Sequence, residues 1–251
     1  MKFMPVSAFY IYQLLDNARY VIRIILSLTV HVVIYCSVAA LIASATHRPF
    51  YLERSLSVSR LLTVIVLTDS IVNTASGVLN LKSTSVIYGI LSGPISLPEF
   101  VLAYVGSAVT RTLFVSLVAL FVCNAAFGLE IAHPTHLGVW LLLISCTFTV
   151  VGFCLGIWLT RPLSVHALAA AVIPLSVVFS GGIFPLGRHP SWLTRVESID
   201  PVSHVIHWLQ WVLYGSPPEG TLGIVLTNLS ILALSLVSTA VGFRRGGLFN
   251  I

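Results

Sequence analysis

Apolar positions along this chain recur at neither a helical nor a strand period; they come in long, nearly unbroken runs. Six such runs cover 24–45, 61–81, 101–127, 137–160, 162–184 and 222–243. Each holds the roughly 20 residues that a helix rising about 1.5 Å per residue needs to cross a hydrocarbon layer about 30 Å thick. A helix satisfies all its backbone groups internally, whereas an open strand would leave them unpaired in lipid. The runs therefore predict an all-α polytopic membrane protein with six transmembrane helices, forming a single domain over 1–251.

The segments between the runs carry their own patterns. Residues 1–23 mix Phe3, Phe9, Tyr10, Tyr12, Leu14 and Leu15 with Asp16, Arg19 and Arg23, which predicts an amphipathic helix lying at the membrane interface. Ala43-Ser44-Ala45 imitates a signal-cleavage site, but the apolar run before it is longer than the 7–15 residues of a signal peptide, so it is expected to be a retained first span. Residues 82–99, KSTSVIYGILSGPISLPE, are semi-polar and broken by Gly93-Pro94 and Pro98, which suits a short helix lying on the cytoplasmic face. After the fifth run, Ser180-Gly181-Gly182 and Phe184-Pro185 break the helix, and Trp192, Trp208, Trp211 and Tyr214 favour the headgroup layer. Broken backbone at membrane depth is tolerated only under protein cover or beside a cavity. A re-entrant helical hairpin over 185–215 on the outer side is the expectation.

Composition narrows the class. Hydrophobic residues make up 57% of the 251 positions and charged residues only 8%, against about 25% charged in a soluble domain. A soluble catalytic domain, a disordered chain and a nucleic-acid binder are excluded. The net charge of +5 arises from 13 Lys and Arg against 8 Asp and Glu spread thinly between the runs, so these charges act as topology markers. Arg19 and Arg23 flank the first run and Arg244 and Arg245 the last. With an even number of spans, both termini are expected to be cytoplasmic in a cell (inner) membrane. Cys36, Cys123, Cys146 and Cys154 all lie inside apolar runs without a C-x-x-C pair, the pattern of buried free thiols.

The chain carries no motif for chemistry of its own. G-x-x-x-x-G-K-[ST], G-x-G-x-x-G, H-E-x-x-H and G-x-S-x-G are absent. His133/His136 and His204/His207 have the spacing of a shared helix face, but no carboxylate or cysteine completes a metal set, and interfacial hydrogen bonding is the expected role. Asp69, with Asn73 one turn later, lies inside the second run and Arg111 inside the third. A charge in a membrane helix costs about 2.5 kcal/mol or more, so each must face protein or water. The two readings are an ion pair that holds adjacent helices and a polar lining of a transport path. His31 and His166, also in apolar runs, fit hydrogen bonding to a neighbouring helix.

The region 174–215, PLSVVFSGGIFPLGRHPSWLTRVESIDPVSHVIHWLQWVLYG, resembles the signature region of ABC-2 type export permeases, matching at Ser180, Gly181, Phe184, Pro185, Pro190, Trp192, Pro201, His204 and Gly215. Pro94, Ile95, Ser96 and Glu99 match the family's cytoplasmic segment between spans two and three. Departures are Asp200 in place of the family's Asn or Leu, Gln210 and Trp211 where an Arg often follows, and few basic residues near the N-terminus. Within the family, the size and the P-V-S-H-V element look most like exporters of capsular polysaccharide or lipo-oligosaccharide.

The resemblance implies a non-enzymatic permease subunit. Two copies, or this chain and a homologue, would form the pathway in the bilayer. A separate cytoplasmic ATPase subunit would bind the ATP and Mg, leaving this chain without a cofactor or metal. It implies that 82–99, with Tyr88, Leu91, Pro94, Ile95, Ser96 and Glu99, couples to the ATPase. It also implies that Ser180, Gly181, Gly182, Phe184, Pro185, Trp192, Pro201 and His204 belong to an outer gate. The alternatives are an ABC-2 exporter of a hydrophobic drug or lipid, a proton-coupled carrier using Asp69, His31 and Arg111, and an intramembrane enzyme with a metal on the outer histidines.

Overall fold

The computed structural model describes residues 7, 8, 10–12, 15, 50–84, 87, 89, 95–127, 131–177, 200–215 and 221–244. Every regular element among them is helical. In chain order these are α1 (Phe50–Leu67), a π-helical turn (Thr68–Asn73), α2 (Thr74–Ser83), α3 (Leu97–Phe127), α4 (Pro134–Trp158), α5 (Pro162–Val177), α6 (Pro201–Tyr214) and α7 (Thr221–Arg244). Among the described residues, four helices are long and apolar enough to cross a membrane: Val58–Ser83, Leu97–Ala125, Pro134–Trp158 and Val225–Phe243. They coincide with the second, third, fourth and sixth apolar runs. The fifth run appears as α5, followed as far as Val177. The expected first span, 24–45, and residues 185–199 of the hairpin expected over 185–215 lie outside the described residues.

Helix α4 is the axis of the bundle. Its 25 residues carry no Asp, Glu, Lys or Arg, and a helix that is apolar all round belongs in an interior. It packs against α1, the π turn, α2, α3, α6 and α7, with Trp140, Ile144, Phe153 and Ile157 fully buried. Helix α5 shows the opposite pattern: over 163–173 it buries Val165, Ala169 and Ile173 on a single stripe and exposes the rest. The main cluster joins α1, α3, α4, α5 and α6. A second, smaller cluster at one end of the bundle joins Val78, Ile87, Phe100, Tyr104, Phe153 and Ile157.

Two features depart from the sequence reading. The second span is expected to start near 61, but its helix runs back to Phe50 through Glu53, Arg54 and Arg60. No Gly or Pro interrupts 51–60, so nothing stops the helix although the charges resemble a loop. From Phe50 to Ser83 the run is roughly 50 Å long, well beyond the hydrocarbon thickness of about 30 Å. Second, a π turn interrupts that helix without any Pro or Gly. Side chains enter the ladder there instead: Ser70 Oγ donates to Val66 O at 2.6 Å, and Arg111 Nη2 donates to Asp69 O at 3.4 Å. Between α2, which continues to Ser83, and α3, which starts at Leu97, Ile87 and Gly89 of the 82–99 segment are helical; residues 85, 86, 88 and 90–94 lie outside the described residues.

At the N-terminus, the described residues 7, 8, 10–12 and 15 are helical, with Ile11, Tyr12 and Leu15 exposed. Tyr10 shares a hydrogen bond of 2.9 Å with Thr110 Oγ1, which sets this segment against α3.

Candidate functional site

Three polar constructions stand out in an otherwise apolar bundle. The first surrounds Asp69 in the π turn. Its Oδ1 accepts from Asn73 Nδ2 at 2.6 Å, and its Oδ2 accepts from Thr112 Oγ1 at 2.7 Å and from Arg111 Nε at 3.4 Å. Arg111 Nη2 also reaches Thr74 Oγ1 at 3.4 Å. The Asp69 side chain is 6% exposed and the Arg111 side chain 13%. The structure thus brings Asp69, Asn73 and Arg111 together, as their placement on adjacent runs implied. Sequence reading missed Thr74 and Thr112, whose hydroxyls are as common in ordinary apolar helices as here. A carboxylate and a guanidinium that share hydrogen bonds present no net charge to the bundle, which is how both are tolerated at this depth.

The second construction is the connection between α2 and α3. Ser96 donates to Glu99 Oε2 from its backbone N at 2.8 Å and from its Oγ at 2.6 Å, and Phe100 N donates to Ser96 O at 3.0 Å. The Glu99 carboxylate thus takes both donors of Ser96 at the first turn of α3, the side-chain half of a capping box. The S-x-x-E spacing was available in the sequence as its signal. Ile95 is half-buried against the smaller cluster, and Ile87 is completely buried within it. The connection is therefore tied into the bundle at Ile87 and at Ile95. Tyr88, Leu91 and Pro94 lie outside the described residues.

The third construction is α6 with the start of α4. Asp200 accepts from Val202 N at 3.2 Å and from Ser203 N at 3.3 Å, and also takes the Ser203 hydroxyl at 2.8 Å. Pro201 occupies the first helical turn, and Gly215 closes the helix in the left-handed conformation at φ 76°. Asp is among the preferred N-caps, and Asp200 serves as one for α6. Between these caps α6 is amphipathic: Val205, Ile206, Leu209, Val212 and Leu213 are buried, while His204, His207 and Gln210 are half-exposed.

Backbone hydrogen bonds from Ala132 N to Leu213 O (3.2 Å) and from His133 N to Val212 O (3.0 Å) fix the end of α6 to the start of α4. Trp140 Nε1 donates to Val205 O at 3.2 Å. The Trp211 ring lies 5.2 Å from the His133 ring and 5.0 Å from the His136 ring. The first H-x-x-H pair thus forms an aromatic cluster with Trp211. Trp208 and Trp211, both expected in the headgroup layer, divide: Trp208 enters the core while Trp211 meets the histidines. Among the described residues, no group of three or more His, Cys, Asp or Glu is placed to hold a metal. His166 is exposed on α5. Ser180, Gly181, Gly182, Phe184, Pro185 and Trp192, expected in the outer gate, lie outside the described residues, as does His31.

No relative among curated proteins matches the chain. The model of the ABC-2 type transporter family matches residues 7–214. That range takes in all three constructions and five of the six apolar runs. The chain belongs to the ABC-2 type transporter family and is a multi-pass membrane permease subunit, not an ATPase.

Proposed function

We propose that this chain is the membrane half of an exporter that moves a lipid-linked or polymeric glycan outward, driven by ATP and Mg bound on a separate cytoplasmic subunit. The observation that carries the reading is the family match over 7–214. Two copies, or this chain with a homologue, flank the pathway in the cell (inner) membrane, with both termini cytoplasmic. The end of the bundle holding Ile87, Ile95 and the Ser96–Glu99 cap faces the ATPase. That assignment is supported by the burial of Ile87, which gives the 84–96 connection a grip on the helices it would have to move. Residues 180–215 form the outer gate, with α6 as one limb. The capped, amphipathic form of α6 supports this, since such a helix suits the headgroup layer. The aromatic cluster of Trp211 with His133 and His136 at that end offers ring faces on which sugars stack.

Deleting the gene tests the cargo. The expected result is loss of surface glycan with its lipid-linked precursor accumulating on the cytoplasmic side. Unchanged surface glycan together with new sensitivity to hydrophobic toxicants would assign the export of drugs or lipids instead.

A further inference from the structure

Lys82 occupies the last turn of α2, immediately before the connection to α3. It is 4% exposed. Its Nζ donates to Ile157 O at 2.9 Å, Leu159 O at 3.2 Å and Gly156 O at 3.5 Å. An ammonium has three donors, so all of them are committed to one helix end. Carbonyls in the last turn of a helix have no partner within it, and that end carries a partial negative charge that favours a cation. Lys82 is therefore a side-chain cap of α4, delivered from another helix.

The same turn of α4 is gripped from two more directions. Ile87 of the connection is buried with Phe153 and Ile157. From α7, Gly242 lies so close that a Cβ there would sit 2.8 Å from Ile157 Cγ2, and Trp158 Nε1 donates to Ser238 Oγ at 3.1 Å. Above this point, α2 and α4 are in near contact: a Cβ on Gly156 would come within 2.6 Å of Val78 Cβ. A salt bridge to a carboxylate would hold two side chains. Three bonds to main-chain carbonyls hold the helix itself.

We infer that Lys82 is a positioning residue for coupling, locking the end of α4 to the end of α2 beside the 84–96 connection so that a push on the connection moves both ends together, with α4 pivoting about that point. The inference rests on the proposed role of that connection as the ATPase contact. Without the lock, the push would be absorbed at the end of α2, and α4 would lag behind.

The test uses the complex of the chain with its co-purifying ATPase subunit in lipid nanodiscs, with native cysteines replaced and spin labels placed in pairs. Asn80 and Thr160 are exposed at the two elements that Lys82 joins, Thr135 is exposed at the opposite end of α4, and Thr160 lies two residues past the end of that helix. In the otherwise native chain, ATP with vanadate is expected to change the Asn80–Thr135 distance while leaving Asn80–Thr160 fixed. In Lys82→Met, the Asn80–Thr160 distance is expected to shift by about 1–2 Å or more on adding ATP and vanadate, the scale of helix shifts in switching proteins. Lys82→Arg, which retains donors and charge, restores the fixed distance. Should Lys82→Met fail to assemble, Lys82→Ala, which keeps no donor, takes its place. A fixed Asn80–Thr160 distance in the Lys82 variant, with Asn80–Thr135 still responding, overturns the role of Lys82 and leaves the coupling reading intact. An Asn80–Thr135 distance that ignores nucleotide in the native chain overturns the coupling reading, and the Lys82 inference with it.

Discussion

Replacing either Asp69 or Arg111 alone should cost about 3–5 kcal/mol, the scale for stranding one partner of a buried ion pair. In Asp69→Asn, the Arg111 guanidinium loses its countercharge in a bundle where the aspartate side chain is only 6% exposed. The new amide also brings donors to a position already faced by two, Asn73 Nδ2 and Thr112 Oγ1. In Arg111→Gln, the carboxylate keeps those two donors but no cation. Both single variants should show sharply reduced folded yield and a lower unfolding temperature in mild detergent. The double variant Asp69→Asn with Arg111→Gln should recover to within about 1 kcal/mol of the parent, because exchanging a buried pair for neutral groups is often close to neutral. Full stability in both single variants would mean that water reaches the pair. A stable double variant that no longer exports would move Asp69 and Arg111 from holding the helices to lining the pathway.

The second large effect is expected at Gly152, where α4 crosses the π turn. A Cβ there would lie 2.7 Å from both Ser70 O and Ile71 O and 2.9 Å from Ile71 Cα. These are main-chain atoms, which have no rotamer by which to retreat. Gly152→Ala should destabilise by about 1–3 kcal/mol, as overpacking does, and Gly152→Leu should prevent assembly. Gly138, on the same helix, has nothing within 4 Å of its would-be Cβ. Gly138→Ala should therefore stabilise by about 0.5–1 kcal/mol through helix propensity alone. Thermal unfolding of the three variants side by side checks this. Equal responses at Gly152 and Gly138 would show that the close crossing is not part of the folded bundle.

Much of the bundle is legible in the sequence because lipid imposes a simple rule: a run of about 20 apolar residues must become a helix. That rule finds the ends of α3, α4 and α7 to within four residues. It places the Asp69–Arg111 pair as well, since charges in adjacent spans have few other ways to be satisfied. Asp200, Pro201 and Gly215 mark the two ends of α6 through capping chemistry that is local and therefore readable.

Features set by contact between distant segments are not legible in this way. The π turn arises where Arg111, 42 positions away, takes the Asp69 carbonyl. Lys82 reads as a topology marker because its partners are carbonyls 74–77 residues distant, and carbonyls leave no trace in sequence. Gly152 and Gly156 do form a small-xxx-small pair, but the spacing alone names neither the helix they face nor the turn they meet. The extension of α1 back to Phe50 is hidden by Glu53, Arg54 and Arg60, which look like a loop to any reading based on hydropathy.

The central claim is that this permease subunit works through an ATPase on another chain, and purification of the tagged chain from its native membrane in mild detergent tests it most directly. The account predicts that an ATP-binding-cassette subunit is retained in stoichiometric amount and that the preparation hydrolyses ATP in a vanadate-sensitive way. An intact, folded chain that carries no nucleotide-hydrolysing partner, and whose transport follows an imposed proton gradient without ATP, would contradict it.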